Sequence, residues 1–121
     1  MKLPYESQLL RVFIGERERY QGQLLYEAII RRAKERGMAG GTVIRGTMGF
    51  GAHSRIHTAK ILRLSEDLPV VVEIVDTPER IEAFLPELDA MVTKGLVTLE
   101  KVRVIAYRHS ADLPERQESG V

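Results

Sequence analysis

Between Gln8 and Gly15, apolar Leu10, Val12 and Ile14 alternate with Leu9, Arg11 and Phe13, the two-residue period of a strand. Polar residues from Glu16 to Gln21 then read as a loop. From Gln23 to Arg36 the period changes: Leu25, Ala28, Ile29 and Ala33 recur at i, i+3, i+4 and i+8, one face of a helix. Gly37 follows where a helix end needs a residue that accepts positive φ, and Arg32, Lys34 and Arg36 suit the negative end of the helix dipole. Strands are predicted over Thr42–Thr47, Ala59–Leu64 and Val70–Val75, the last two separated by a Ser65-Glu66-Asp67 turn. Thr77-Pro78 is a helix start, a capping hydroxyl followed by proline in the first turn. Ile81, Phe84, Leu85, Leu88, Met91 and Val92 hold helical spacing up to Gly95, with Pro86 inside the helix as an expected kink. Val97–Tyr107 reads as the final strand, and polar, aperiodic His109–Val121 as a flexible tail.

Four of these five strands with the two helices make the order β-α-β-β-α-β, the ferredoxin-like α+β arrangement: one antiparallel sheet with two helices on one face. In this reading the second and third strands form a hairpin around a glycine-rich loop, and the third and fourth meet at the Ser65-Glu66-Asp67 turn. Two helices cover only one face of such a sheet. Yet Leu9 beside Leu10, Val71 beside Val72 and Val104 beside Ile105 place apolar side chains on both faces. A soluble monomer rarely leaves that much apolar surface open, so the pattern predicts an oligomer.

Composition narrows the function. The chain has 121 residues, 44% of them hydrophobic and 29% charged, the size and balance of one globular domain, placed at residues 1–108. A net charge of +1 and only 6% aromatic residues argue against nucleic-acid binding through a basic field or a stacking platform. The absence of cysteine excludes a disulfide scaffold, a thiolate nucleophile and a cysteine zinc site. No apolar run approaches a membrane span, and the N-terminus lacks the apolar core of a signal peptide, so the expected location is the cytoplasm.

The distinctive chemistry lies in Gly37–Thr58, where glycines gather with Arg45, His53, Arg55 and His57. Gly49 and Gly51 let successive backbone N–H groups approach an anion, and Arg45 and Arg55 add charge. The same residues also suit a merely mobile, solvated hairpin loop, and both readings stand. Gly46-x-x-Gly49-x-Gly51 opens no helix, so it is not a dinucleotide fingerprint, and no Gly-Lys-Ser/Thr makes it a P-loop. His53 and His57 have metal-ligand spacing but no third ligand nearby. Asp76 reads as a helix-start anion rather than a catalytic acid, and Ser7, Ser54 and Ser65 have no base at a readable spacing. No enzyme activity is expected.

The run Gly37-Met38-Ala39-Gly40-Gly41-Thr42-Val43 followed by Gly49-Phe50-Gly51 resembles the PII signalling superfamily. With Arg45-Gly46, the His53–His57 segment and Leu68–Asp76, it resembles more closely the PII-like domain-of-unknown-function family 190, over about Leu9 to Ile105. The resemblance implies a ferredoxin-like homotrimer, a ligand such as an adenine nucleotide in clefts between subunits, and a flexible T-loop that acts on a partner such as a membrane transporter. By position, Thr42 would lie near the base, and Gly49, Phe50 and Gly51 at the loop root near the phosphates. The chain departs from PII proteins where they carry a second glycine- and lysine-rich phosphate loop: Thr93–Lys101 holds one glycine. Lys94, Lys101 or Arg103 would have to replace it. No tyrosine lies between Gly46 and Lys60, so the PII uridylylation site has no counterpart. Two function classes remain at this stage: a ligand-sensing regulator, and an oligomeric protein-interaction module with no nucleotide ligand.

Overall fold

The computed structural model describes residues 3–51 and 67–108. Its main sheet has four strands, β1 (Glu6–Gly15), β4 (Gly41–Arg45), β5 (Pro69–Asp76) and β6 (Leu96–Arg103), in the order β4-β5-β1-β6. Every pairing in it is antiparallel. Helices α1 (Leu25–Glu35) and α2 (Pro78–Met91) pack on one face. The ferredoxin-like order predicted above is therefore the observed one.

The core follows from the alternation. Leu10, Val12 and Ile14 of β1 and Val70, Val72 and Ile74 of β5 are buried under the helices. Leu25, Ala28, Ile29 and Ala33 meet them from α1, and Ile81, Phe84, Leu88 and Met91 from α2. Each large side chain so buried contributes about 1.5–3 kcal/mol, which is what holds two short helices on the sheet.

The helix ends obey their local signals. Thr77 Oγ1 accepts the N–H of Arg80 at 3.1 Å, and Pro78 opens α2. Gly37, at φ +70°, closes α1. Its N–H donates to Lys34 O at 2.9 Å and that of Met38 to Ala33 O at 3.1 Å, a Schellman ending. Pro86 lies within α2, which continues through it to Met91.

Four expectations change. Residues 16–21 are not all loop: β2 (Arg19–Tyr20) lies within them and forms a small hairpin with β3 (Gln23–Leu24), and α1 begins at Leu25, two residues later than its spacing implies. The final strand stops at Arg103 rather than Tyr107, because β1 offers its last register partner at Glu6, after which Val104 N–H donates to Tyr5 O at 2.7 Å. Ile105 lies beyond the strand and is exposed. The hairpin partner of β4 is β5, with Gly41 opposite Ile74 and Arg45 opposite Val70; the predicted strand at 59–64 lies outside the described residues, as do residues 52–58 and 109–121.

The other sheet face carries no element of this chain among the described residues. Across it run Ile44, Val71, Phe13 and Leu96 in one row and Thr42, Glu73, Arg11 and Thr98 in the next. Arg11 Nε donates to Glu73 at 2.9 Å and its Nη1 to Glu100 at 2.6 Å. Ile44 and Leu96 are 46% and 57% exposed, so apolar surface is open on this face and along both sheet edges.

A charge cluster ties the helices together. Glu87 of α2 accepts from Arg36 Nε and Nη2, both at 2.7 Å, and from Arg32 Nη1 at 2.9 Å. The hydrogen bonds from Arg36 and then Arg32 hold its carboxyl down at about 2. A depressed carboxylate contributes stability that is complete above its unfolded pKa and is lost as pH falls through the folded one. Glu87→Gln should therefore lower stability at neutral pH and flatten its decline between the ordinary carboxylate range and about pH 2. Urea midpoints measured across that window for both proteins check this; parallel curves would mean that the cluster contributes nothing.

Candidate functional site

The connection from β4 to β5 spans residues 46–68 and is fastened at both ends to the turn that follows β1. Gly46 N–H donates to Pro69 O at 2.8 Å, and Arg45 Nη2 pairs with Glu16 at 2.5 Å. On the return side, Glu16 N–H donates to Leu68 O at 2.8 Å and Arg17 N–H to Asp67 Oδ1 at 2.9 Å. The turn lies so close to Asp67 that a Cβ on Gly15 would stand 2.5 Å from its carboxylate. Residues 46–51 leave the sheet edge against Pro69, where a Cβ on Gly49 would meet the proline ring at 2.9 Å.

This arrangement opens a cleft of about 1030 Å³ at the end of the sheet where β1 stops and β6 begins. Phe13, Phe50, Pro69 and Leu96 give it apolar walls; Lys94, Glu18 and Asp67 give it charge. Gly95 on its rim has φ +145°, and a Cβ there would stand 2.6 Å from Phe13 O, so glycine is needed for β6 to begin against β1. Phe50 is 72% exposed, an aromatic ring presented beside the cleft rather than packed into the core.

The residues singled out from sequence do not all meet. Gly49, Phe50, Gly51 and Lys94 line the cleft together. Arg45 sits beside it, outside its lining, and is paired with Glu16. Thr42 lies in the row of Arg11 and Glu73 on the uncovered face. Lys101 and Arg103 are five and seven residues beyond Leu96 along β6, which at strand rise is about 17 and 24 Å from the cleft. Arg103 instead lies over the Tyr5 ring, 5.8 Å from its centroid. Arg55, His53 and His57 lie outside the described residues. Among the described residues no three His, Cys, Asp or Glu side chains are grouped to hold a metal ion.

Sequence reading missed Glu16, Glu18 and Asp67, the acids around the site. Lys94 Nζ is 3.4 Å from Glu18 Oε2. Among the described residues, Arg45 and Lys94 beside the loop root thus already have a carboxylate partner each, and the two acids come from one short turn. No spacing rule signals this, since Glu18 and Lys94 are distant in sequence and meet only through the β1–β6 pairing. Asp76 is a structural acid, as its place before α2 implied: it is fully buried and accepts from Thr77 N–H at 2.6 Å and Ala39 N–H at 2.8 Å.

Comparison with known proteins places the chain. The family model DUF190, described as an uncharacterized ACR, matches residues 7–104. A UPF0166 protein of Aquifex aeolicus (strain VF5) is 44% identical over 100 residues, covering 83% of this chain and 94% of that protein. A UPF0166 protein of Methanocaldococcus jannaschii is 32% identical over 100 residues, covering 82% and 92%. Among solved structures, a PII-like signalling protein from Thermus thermophilus superposes with a TM-score of 0.57 at 17% identity, covering 87% of this chain and 94% of that one. CPII from Thiomonas intermedia K12, solved bound to ADP and bicarbonate, superposes at 0.55 and 18% identity, covering 86% and 91%. The structural likeness establishes the fold, which this chain shares with PII-like proteins, and the sequence matches establish the kinship: the chain belongs to the DUF190 family.

Proposed function

We propose that this chain is a non-catalytic, cytoplasmic PII-like regulator. It binds an adenine nucleotide in a cleft completed between subunits of a homotrimer, and acts on a partner such as a membrane transporter through the segment joining β4 to β5. The observation that carries this reading is the convergence of that segment's root, Gly49-Phe50-Gly51, with Lys94 on one cleft of about 1030 Å³. Sites for ligands of this size occupy about 300–1,000 Å³, with apolar walls and a few polar groups. Phe13, Phe50, Pro69 and Leu96 offer a surface for a flat base, and the glycine backbone with Lys94 a place for phosphate. CPII, with the same fold, was solved with ADP. Lys101 and Arg103 are too far along β6 to serve the cleft of their own subunit, so in this reading they serve a neighbour's. The open apolar face supports the subunit contact.

Isothermal titration with ADP tests the reading. Wild type should bind, and Gly51→Val should bind at least about tenfold more weakly, a loss of about 1.4 kcal/mol. Gly51 is the informative position, because a Cβ there meets nothing within 4 Å among the described residues. Circular dichroism of the variant verifies its fold, so that the titration reports on ligand space. Equal binding by the variant would move the site away from the loop root. If wild type binds no nucleotide, the ligand-free interaction module replaces this reading.

A further inference from the structure

The turn after β1 carries two carboxylates, Glu16 and Glu18, and each is paired with a cation at the root of the β4–β5 segment or in the cleft. Glu16 pairs with Arg45 at 2.5 Å and Glu18 with Lys94 at 3.4 Å. The two members of each pair are held differently. The acids are tucked in, 25% and 21% exposed, while the cations are 56% and 58% exposed on long stems. The turn itself is fastened on every side. Beyond its bonds to Asp67 and Leu68, Glu18 N–H donates to Gly15 O at 3.2 Å and Glu18 O accepts Leu25 N–H at 2.8 Å. The carboxylates are therefore fixed, and the ammonium and guanidinium groups are the ends that can swing.

An anion entering the cleft draws Lys94 and Arg45 toward itself. Glu16 and Glu18 then stay behind without their partners, and Glu18 joins Asp67 as negative charge lining the cleft. The repulsion this creates grows with the charge on the ligand. We propose that Glu16 and Glu18 act as built-in counter-anions that set the charge selectivity of the site, favouring nucleotides with few phosphate charges over polyphosphates. The proposal rests on the nucleotide-binding reading above and assigns these two residues a role in specificity, not in catalysis.

The test compares AMP, ADP and ATP by titration calorimetry at low salt, on wild type, Glu18→Gln and the double variant Glu16→Gln/Glu18→Gln, with thermal melts to verify folding. Exposed ion pairs are individually weak, so the expected changes are modest. Glu18→Gln should tighten ADP binding about threefold and the double variant about tenfold, equivalent to about 1.4 kcal/mol. The gain should be largest for ATP and smallest for AMP, and should shrink at high salt. A merely structural role would alter the three affinities alike. Wild-type binding with unchanged or uniformly changed affinities in the variants overturns the proposal and leaves the nucleotide reading intact. No binding of any nucleotide by any of the proteins overturns both. Should the double variant melt early, Glu18→Gln alone decides, since it leaves the Glu16–Arg45 pair in place.

Discussion

Replacing Asp76 by alanine should remove about 2–5 kcal/mol of folding stability, at about 1–3 kcal/mol for each hydrogen-bond donor left without its buried acceptor. Against a total of about 5–15 kcal/mol for a domain, that is enough to bring the protein close to unfolding. Asp76 is fully buried at the end of β5. Its Oδ1 accepts Thr77 N–H at 2.6 Å, its Oδ2 accepts Ala39 N–H at 2.8 Å, and Arg80 Nε reaches it at 3.2 Å. Arg80 in turn donates through Nη2 to the carbonyls of Arg36, at 3.1 Å, and Gly37. One carboxylate thus joins the end of α1, the approach to β4 and the start of α2. Alanine would leave two backbone donors and a guanidinium without their acceptor. Arg80→Ala should be milder, because that side chain is 40% exposed and water can replace it. Urea unfolding of the three proteins decides: a loss below about 1 kcal/mol for Asp76→Ala would show that the junction is held by packing instead.

Placing a charge at Val71 should dissociate the homotrimer proposed above while leaving each subunit folded. Val71 stands on the uncovered face between Phe13 and Ile44. In a lone subunit it is only half-buried, so the long stem of a lysine can lie along the sheet with its charge in water. Between subunits the same ammonium would be desolvated without a partner, at several kcal/mol for every copy in the interface. Light scattering should return three times the 13.7 kDa chain mass for wild type and the single-chain mass for Val71→Lys, with unchanged circular dichroism. A wild-type monomer at micromolar concentration would remove the intersubunit cleft, and with it the role proposed for Lys101 and Arg103.

The features that local physics dictates were legible in the amino-acid order. Thr77-Pro78 caps α2 and Gly37 ends α1 because capping and positive φ depend only on adjacent residues. The apolar spacing of Leu25, Ala28, Ile29 and Ala33 marks one side of α1 because a helix has a fixed period, whatever it packs against. The glycine-rich root of the long connection was visible for the same reason, as was its likeness to PII proteins. What tertiary structure alone decided is every relation between distant segments. β6 ends at Arg103 because β1 runs out of partners at Glu6, a limit set by pairing and not by the apolar residues that follow it. Residues 16–18 read as an ordinary polar loop. Yet the β1–β6 pairing brings Glu18 to Lys94, and the β1–β5 and β4–β5 pairings bring Glu16 to Arg45, and so turn two apparent free cations into partnered ones. Spacing along β6 already separates Lys101 and Arg103 from Lys94, but only the tertiary structure shows that the cleft opens at the Lys94 end of that strand. Charge is cheap to place on a surface and obeys no period, so the electrostatics of the site are settled only when the sheet closes and fixes which carboxylate stands beside which cation.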